Sequence, residues 1–260
     1  MADTAMPVRN AEAPWSYFSS DDYWRRNYET MLPEDQEIIR RVSPFFIHAF
    51  ARRGPAQRAI DVGSGTNLYP ALLMLPWTEQ ILLTDYSDSN VRWLRHHAVD
   101  EDAAWTWQPF WRELAELDGY DRISEPRKQL MQACAARVEY AGIEQRSVFE
   151  LPKARWQLGT MFFVAESITE DFAEFRTAID CFVGALEPGS PFATAFMADS
   201  AGYAVDGTTF PALRIKVDDV AKRFSELGVS ELSVELNRTP HRVRDGYAGM
   251  IVATGIVGPR

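Results

Sequence analysis

Residues 58–68 read RAIDVGSGTNL. Ala59, Ile60 and Val62 are the apolar positions of a short buried strand, and Asp61 stands where that strand ends. Gly63, Ser64 and Gly65 then turn the chain sharply into the apolar run of residues 68–75, which reads as a helix. A strand that passes through a glycine turn into a helix leaves backbone N–H groups pointing at open space. Glycine is required there because the backbone bends tightly and a ligand has to come close. The rest of the chain reads as a sheet built to present this turn.

The turn does not suit every phosphate- or nucleotide-binding loop. A dinucleotide fingerprint needs G-x-G-x-x-G/A, with a small third residue so that helix and strand pack closely; Leu68 occupies that place. No G-x-x-x-x-G-K-[ST] run exists, which excludes a P-loop. An acid followed by G-S-G at the end of a first strand resembles the first motif of the class I S-adenosylmethionine (AdoMet) methyltransferases. A second acid supports it: the strand-like run Ile81, Leu82, Leu83, Thr84 ends on Asp85. A carboxylate at the tip of a second strand offers two acceptor oxygens to the ribose hydroxyls of an adenosine ligand. Asp85 can also serve the start of the next helix, as can Ser87 and Asp88.

Composition bounds the remaining possibilities. A chain of 260 residues with 46% hydrophobic residues has ample material for one core, with at most an attached lid. A net charge of -10 argues against an extended nucleic-acid surface. Cys134 and Cys181 lack metal-site spacing and read as buried free thiols, which suits a reducing cytoplasm. His48, His96, His97 and His241 form no ligand motif, and no carboxylate cluster with metal-site spacing is evident, so no metal is expected. No apolar run reaches the ~18 residues of a membrane span, and the N-terminus has no apolar signal core. The expected partner is a small-molecule acceptor, with neither nucleic acid nor membrane; the sequence does not specify an oligomeric state.

Before the first strand, residues 1–14 read as mobile. Residues 15–28, WSYFSSDDYWRRNY, are dense in aromatics, and Ser20 or Asp21 can cap a helix beginning near Asp22. This addition to the sheet reads as a lid that closes over a ligand. Residues 34–53 read as a long helix stopped by Gly54-Pro55.

The run DVGSGTNLYPALLMLPWTEQILLTDYSDSNVRWL, with the earlier YF..DDYWRRNY, resembles the nicotinamide / phenylethanolamine / indolethylamine / thioether methyltransferase family. That family shares a D-[IV]-G-S-G-P-x-x-Y turn and a T-D-Y-S-x-x-N run. This chain has Asp61, Gly63, Ser64, Gly65 and Tyr69 of the first, and Thr84, Asp85, Tyr86, Ser87 and Asn90 of the second. Thr66 stands where the family usually has proline, and adds a possible donor. The resemblance implies an AdoMet-dependent enzyme. Tyr23, Tyr28 and Tyr69 would meet the methionine end of the cofactor, Asp85 the ribose, and Tyr86 and Asn90 the adenosine. Phe18 and Tyr203 would face the acceptor. Family members also carry a Cys-Asp-Val whose aspartate holds the adenine amine. The nearest alignment sets Tyr140, Ala141 and Gly142 there, so Ala141 and Gly142 are expected at the cofactor, with Glu139 or Glu144 as substitute acids.

Further along, residues 126–139 read as a helix and residues 160–165 as a buried strand with Glu166 just past its end. Ligands of open α/β sheets lie at the carboxyl ends of strands, and family members carry an acid at this position. Residues 172–186 read as a helix, 192–197 as a strand followed by Asp199, and 217–227 as a helix stopped by Gly228. Residues 232–236 and 249–256 read as a closing strand pair.

The expectation is therefore an α/β fold: a doubly wound, mostly parallel sheet of seven strands with an antiparallel last strand. A helical lid (residues 1–54) would precede an AdoMet-binding domain (residues 55–260). Glu166 and Asp199 are expected as catalytic residues that bind an ammonium and take its proton. This makes N-methylation of an amine the leading activity. O-, S- or heteroaromatic N-methylation and a non-catalytic protein of the same fold are the alternatives.

Overall fold

The computed structural model describes residues 6–135, 139–238 and 246–259; His241 lies outside them. Two helices come first, α1 (Ser20–Asn27) and α2 (Pro33–Phe50). Strand β1 (Ala56–Val62) leads through the glycine turn to α3 (Tyr69–Met74), followed by β2 (Thr78–Asp85) and α4 (Asp88–Val99). A long crossover carries α5 (Gln108–Arg112) and α6 (Pro126–Cys134) to the short strand β3 (Gly142–Gln145). Next come β4 (Leu158–Phe162), α7 (Phe172–Ala185) and β5 (Pro191–Ala198). A small hairpin, β6 (Tyr203–Val205) and β7 (Thr208–Phe210), precedes α8 (Val217–Glu226) and the closing pair β8 (Ser230–Asn237) and β9 (Gly249–Ile256).

The seven-stranded sheet has the order β3-β2-β1-β4-β5-β9-β8. Its first five strands are parallel; β9 is antiparallel to both β5 and β8. The strand order reverses between β1 and β4, the switch point at which such sheets bind ligands. Helices cover both faces. One core gathers α2, α3, α5 and α6 around Ile38, Phe46, Leu72 and Trp107. The other gathers α7 and α8 around Phe175, Phe182, Phe192 and Phe224. The central strands are buried on both sides, as a doubly wound parallel sheet requires.

Three expectations need correction. Residues 6–14 are tied down rather than loose. The Val8 N–H donates to Glu170 Oε2 (3.0 Å), the Asn10 N–H donates to Glu174 Oε2 (2.9 Å), and Arg9 pairs with Asp171 (3.3 Å). The acids at the start of α7 thus hold this segment across the sheet. The helix expected to reach residue 139 ends at Cys134, and the missed edge strand β3 follows. Strand β4 stops at Phe162, because Phe163 turns to φ +60° and the chain leaves the sheet.

Candidate active site

The site is built on the tips of β1 and β2. Gly63 has φ +66°, and a Cβ there would lie 2.5 Å from Val164 Cγ2, so only glycine fits the turn. The Ser64 N–H donates to the Thr84 carbonyl (2.8 Å), which sews the turn to β2. The Gly65 N–H donates to Asp85 Oδ2 (2.9 Å). Asp85 Oδ1 accepts from the Ser87 N–H (2.8 Å) and from Asn90 Nδ2 (3.1 Å). The carboxylate therefore braces the glycine turn and starts α4 while lining the cavity above. Burial raises its pKa, and the bonds from Ser87, Asn90 and Gly65 oppose that rise.

Above these tips lies a cavity with about 730 Å³ of open space, the solvent at its mouth included. Its floor is Gly63, Ser64, Gly65, Thr66 and Asn67, with Asp85, Tyr86 and Asn90 beside them. Arg146, Ser147 and Val148, from the tip of β3, form one wall; the Arg146 N–H donates to the Asp85 carbonyl (2.8 Å). Phe162, Phe163, Val164, Ser167 and Ile168, past the end of β4, form the other. Asn10, Trp15, Phe18, Tyr23, Tyr28 and Tyr203 close the cavity from the lid and from the β6–β7 hairpin. Phe210 on β7 packs under Trp15 (5.3 Å), Phe18 (5.2 Å) and Tyr203 (5.5 Å), so lid and hairpin share one small aromatic core.

The structure brings together Phe18, Tyr23, Tyr28, Gly63, Ser64, Gly65, Thr66, Asp85, Tyr86, Asn90 and Tyr203, all expected at the site. It holds six others off the cavity surface. Asp61 is buried behind the turn, where its Oδ1 accepts from Thr160 Oγ1 (2.7 Å). Burial lifts its carboxyl to about 7, with the nearby charge of Asp85 adding to the rise. Tyr69 is fully buried, stacked on Phe110 (5.5 Å) and edge-on to Tyr28 (6.3 Å), so it backs a cavity residue instead of lining the cavity. Ala141 and Gly142 lie at the start of β3, the end away from the ligand edge. The residues just past that strand's tip, Arg146, Ser147 and Val148, line the cavity instead.

The two expected catalytic acids are also displaced. Glu166 is fully buried, and its Oε1 accepts from the Met197 N–H (2.8 Å) and from Ser167 Oγ (3.2 Å). It braces the end of β5 from within. Asp199 has φ +56°, its N–H donates to the Ile215 carbonyl (3.0 Å), and it is not among the residues that wall the cavity. Sequence reasoning missed Asn10, whose segment has no periodicity, and the wall past β3, whose four residues GIEQ lack an apolar alternation; Trp15 lies in the segment expected as the lid but was not singled out. Among the described residues no group of His, Cys, Asp or Glu could hold a metal ion.

The residues present fit an adenosine-bearing cofactor. Asp85 presents a carboxylate at the β2 tip, the glycine turn allows close approach, and the residues past the β3 tip wall the cavity beside them. Together with the switch-point topology this defines the class I AdoMet-dependent methyltransferases. Comparison with known proteins specifies the family: the NNMT/PNMT/TEMT family model matches residues 8–252, and the chain belongs to that family. It is an AdoMet-dependent small-molecule methyltransferase. The nicotinamide N-methyltransferase of Sus scrofa is 24% identical over 223 residues, covering 84% of each chain. The indolethylamine N-methyltransferase of Mus musculus is 23% identical over 202 residues, covering 76% of each. Among solved structures, the N-methyltransferase NodS from Bradyrhizobium japonicum WM9 in complex with S-adenosylhomocysteine aligns with a TM-score of 0.51 at 14% identity. That alignment covers 92% of this chain and 93% of that one. The 1,6-didemethyltoxoflavin-N1-methyltransferase of Burkholderia thailandensis aligns with a TM-score of 0.52 at 16% identity, covering 94% and 87%. At such identities these two likenesses speak for the fold.

Proposed function

We propose that this enzyme methylates a nitrogen atom of a small, flat acceptor that enters uncharged. The observation that carries the proposal is the make-up of the cavity. Of the described residues that wall it, only Asp85 and Arg146 bear charge. Asp85 belongs to the β2 tip, and Arg146 is ion-paired with Glu144 (2.8 Å). No lining carboxylate is left to hold an ammonium group. Tyr23, Phe18, Trp15 and Tyr203 instead offer aromatic faces suited to a planar ring. The relatives above, by their names, act on the nitrogen of nicotinamide and of indolethylamine, which supports nitrogen as the acceptor atom.

When bound, AdoMet supplies a sulfonium methyl group that a nitrogen lone pair displaces in line. The chain's part is positioning and exclusion of water. In our reading Asp85 accepts the ribose hydroxyls, the turn from Gly63 to Thr66 and Tyr28 meet the methionine end, and Tyr86, Asn90 and Ser147 border the base. The aromatic roof holds the acceptor and favours positive charge near the reacting atoms. Orientation of this kind can supply up to ~7–11 kcal/mol of the barrier. A neutral nitrogen needs no proton removed before it attacks, so no lining base is required. Glu166 acts as a brace in this account. We assign the lid to the residues up to Tyr28, with α2 serving the core, and the enzyme to the cytoplasm, where the free thiols of Cys134 and Cys181 would persist.

The test is turnover with methyl-labelled AdoMet against paired acceptors: aromatic amines and ring-nitrogen heterocycles on one side, phenols, thiols and protonated alkylamines on the other. The proposal expects labelled N–CH3 products from the first group. Labelled methyl ethers or thioethers as the main products would overturn it.

A further inference from the structure

One hydrogen-bond path connects the lid to the floor of the cavity. Ser20 is the first residue of α1 and is buried. Its Oγ donates to Asn90 Oδ1 (2.8 Å). Asn90, also buried, donates from Nδ2 to Asp85 Oδ1 (3.1 Å). Asp85 Oδ2 in turn accepts from the Gly65 N–H (2.9 Å). A second tether runs beside it, from Ser89 Oγ to the Phe18 carbonyl (2.9 Å).

The middle link has two possible orientations. An asparagine amide presents an acceptor on one side and two donors on the other. The Ser20 hydroxyl donates only if Oδ1 faces it, and that turns Nδ2 toward Asp85. Reversed, the amide would set Oδ1 against Asp85 Oδ1, two acceptors in contact within a buried site where an unmet polar group is costly.

From this geometry we infer that Ser20 is a positioning residue for the ribose end of the cofactor site: by fixing the Asn90 amide it fixes the Asp85 carboxylate. Lid seating and ribose recognition are then one hydrogen-bonded unit. The same helix carries Tyr23 and leads to Tyr28, both cavity residues, so a correctly seated ribose also seats the aromatic roof. The inference rests on the reading that Asp85 receives the ribose.

The experiment compares S-adenosylhomocysteine with its 2′,3′-dideoxyribose analogue by calorimetry, on wild-type protein and on Ser20→Ala. Wild-type protein is expected to bind the parent compound at least tenfold more tightly than the analogue; equal affinities would defeat the ribose reading itself. Ser20→Ala is expected to lose about five- to tenfold in affinity for the parent compound, equivalent to roughly 1–1.4 kcal/mol, and less than twofold for the analogue. Ser20→Thr, which keeps the hydroxyl, should recover most of the loss. It also serves as the check should Ser20→Ala not fold: wild-type-like preference for the parent compound in Ser20→Thr and none in the weak-donor variant Ser20→Cys would support the inference. An equal loss for both ligands, or no loss for either, would overturn it while leaving the ribose reading intact.

Discussion

Replacing Asp85 with asparagine separates its two duties. Oδ1 takes two donors, the Ser87 N–H and Asn90 Nδ2, and Oδ2 takes one, the Gly65 N–H. In Asp85→Asn the amide oxygen should occupy the Oδ1 place, because two donors point there. The new amide NH2 then meets the Gly65 N–H, and that bond is lost. A ribose hydroxyl that donated to a carboxylate now faces a donor. A hydrogen bond to a charged group is worth about 1.5–3 kcal/mol, so S-adenosylhomocysteine should bind roughly 10- to 150-fold more weakly. Stability should change less, because the lost Gly65 bond is offset by the relief of burying a charge, the cause of this carboxyl's raised pKa. Calorimetric titration gives the affinity and urea unfolding the stability. Affinity within threefold of wild type, with a clear loss of stability, would mean that Asp85 only supports the turn and the start of α4.

The other expectations concern the surroundings of that carboxylate. Asp35, buried beside Tyr69, is pushed up to about 7 chiefly by burial. A carboxyl raised in the folded state favours folding most below its unfolded value near 3.8, and that contribution is lost as pH rises to about 7. Asp35→Asn should therefore raise the melting temperature, by an amount that grows from pH 4 to 7 and levels off above; a gain independent of pH would contradict this. Gly63→Ala forces a Cβ against Val164 and strains the turn, so ligand affinity should collapse, and adding Val164→Ala should return part of it. If the double variant is no better than the single one, the steric account is wrong. Ser147→Asp replaces a hydroxyl that both donates and accepts with a group that only accepts. It should increase the preference for S-adenosylhomocysteine over its 6-oxo, inosine-based counterpart, and an unchanged ratio would move the base away from the β3 tip.

Much of the fold was legible because its signals are local. The strand–turn–helix at Gly63 and Gly65, the acid ending β2 and the apolar runs of β5 and β9 each follow from a few adjacent residues. Most of the cavity floor was legible for the same reason, since strand tips and a glycine turn fix where side chains go. What escaped the sequence depends on distant contacts. The short edge strand β3 has no pattern of its own and exists by pairing with β2, from Leu82 with Gly142 to Asp85 with Gln145. The alignment that set Ala141 and Gly142 at the cofactor points to the start of this strand, whereas the residues past its tip, Arg146, Ser147 and Val148, line the cavity. Residues 6–14 have no periodicity, and acids more than 150 positions away, among them Glu170 and Glu174, hold them in place. Glu166 and Asp199 follow strands, as ligand-facing acids do, but the backbone takes positive φ at Phe163 and Asp199 and neither acid lines the cavity. A carboxylate just past a strand can serve the protein's own N–H groups as readily as a ligand, and Glu166 does so with Met197.

The central claim is that the tips of β1, β2 and β3 hold AdoMet. Titrating S-adenosylhomocysteine into the wild-type protein, with NADH in a parallel run, tests it most directly. The account predicts one site of micromolar affinity for S-adenosylhomocysteine and no competition from NADH, since Leu68 fills the place that a dinucleotide needs small. Absence of any heat with S-adenosylhomocysteine at millimolar concentration would contradict it.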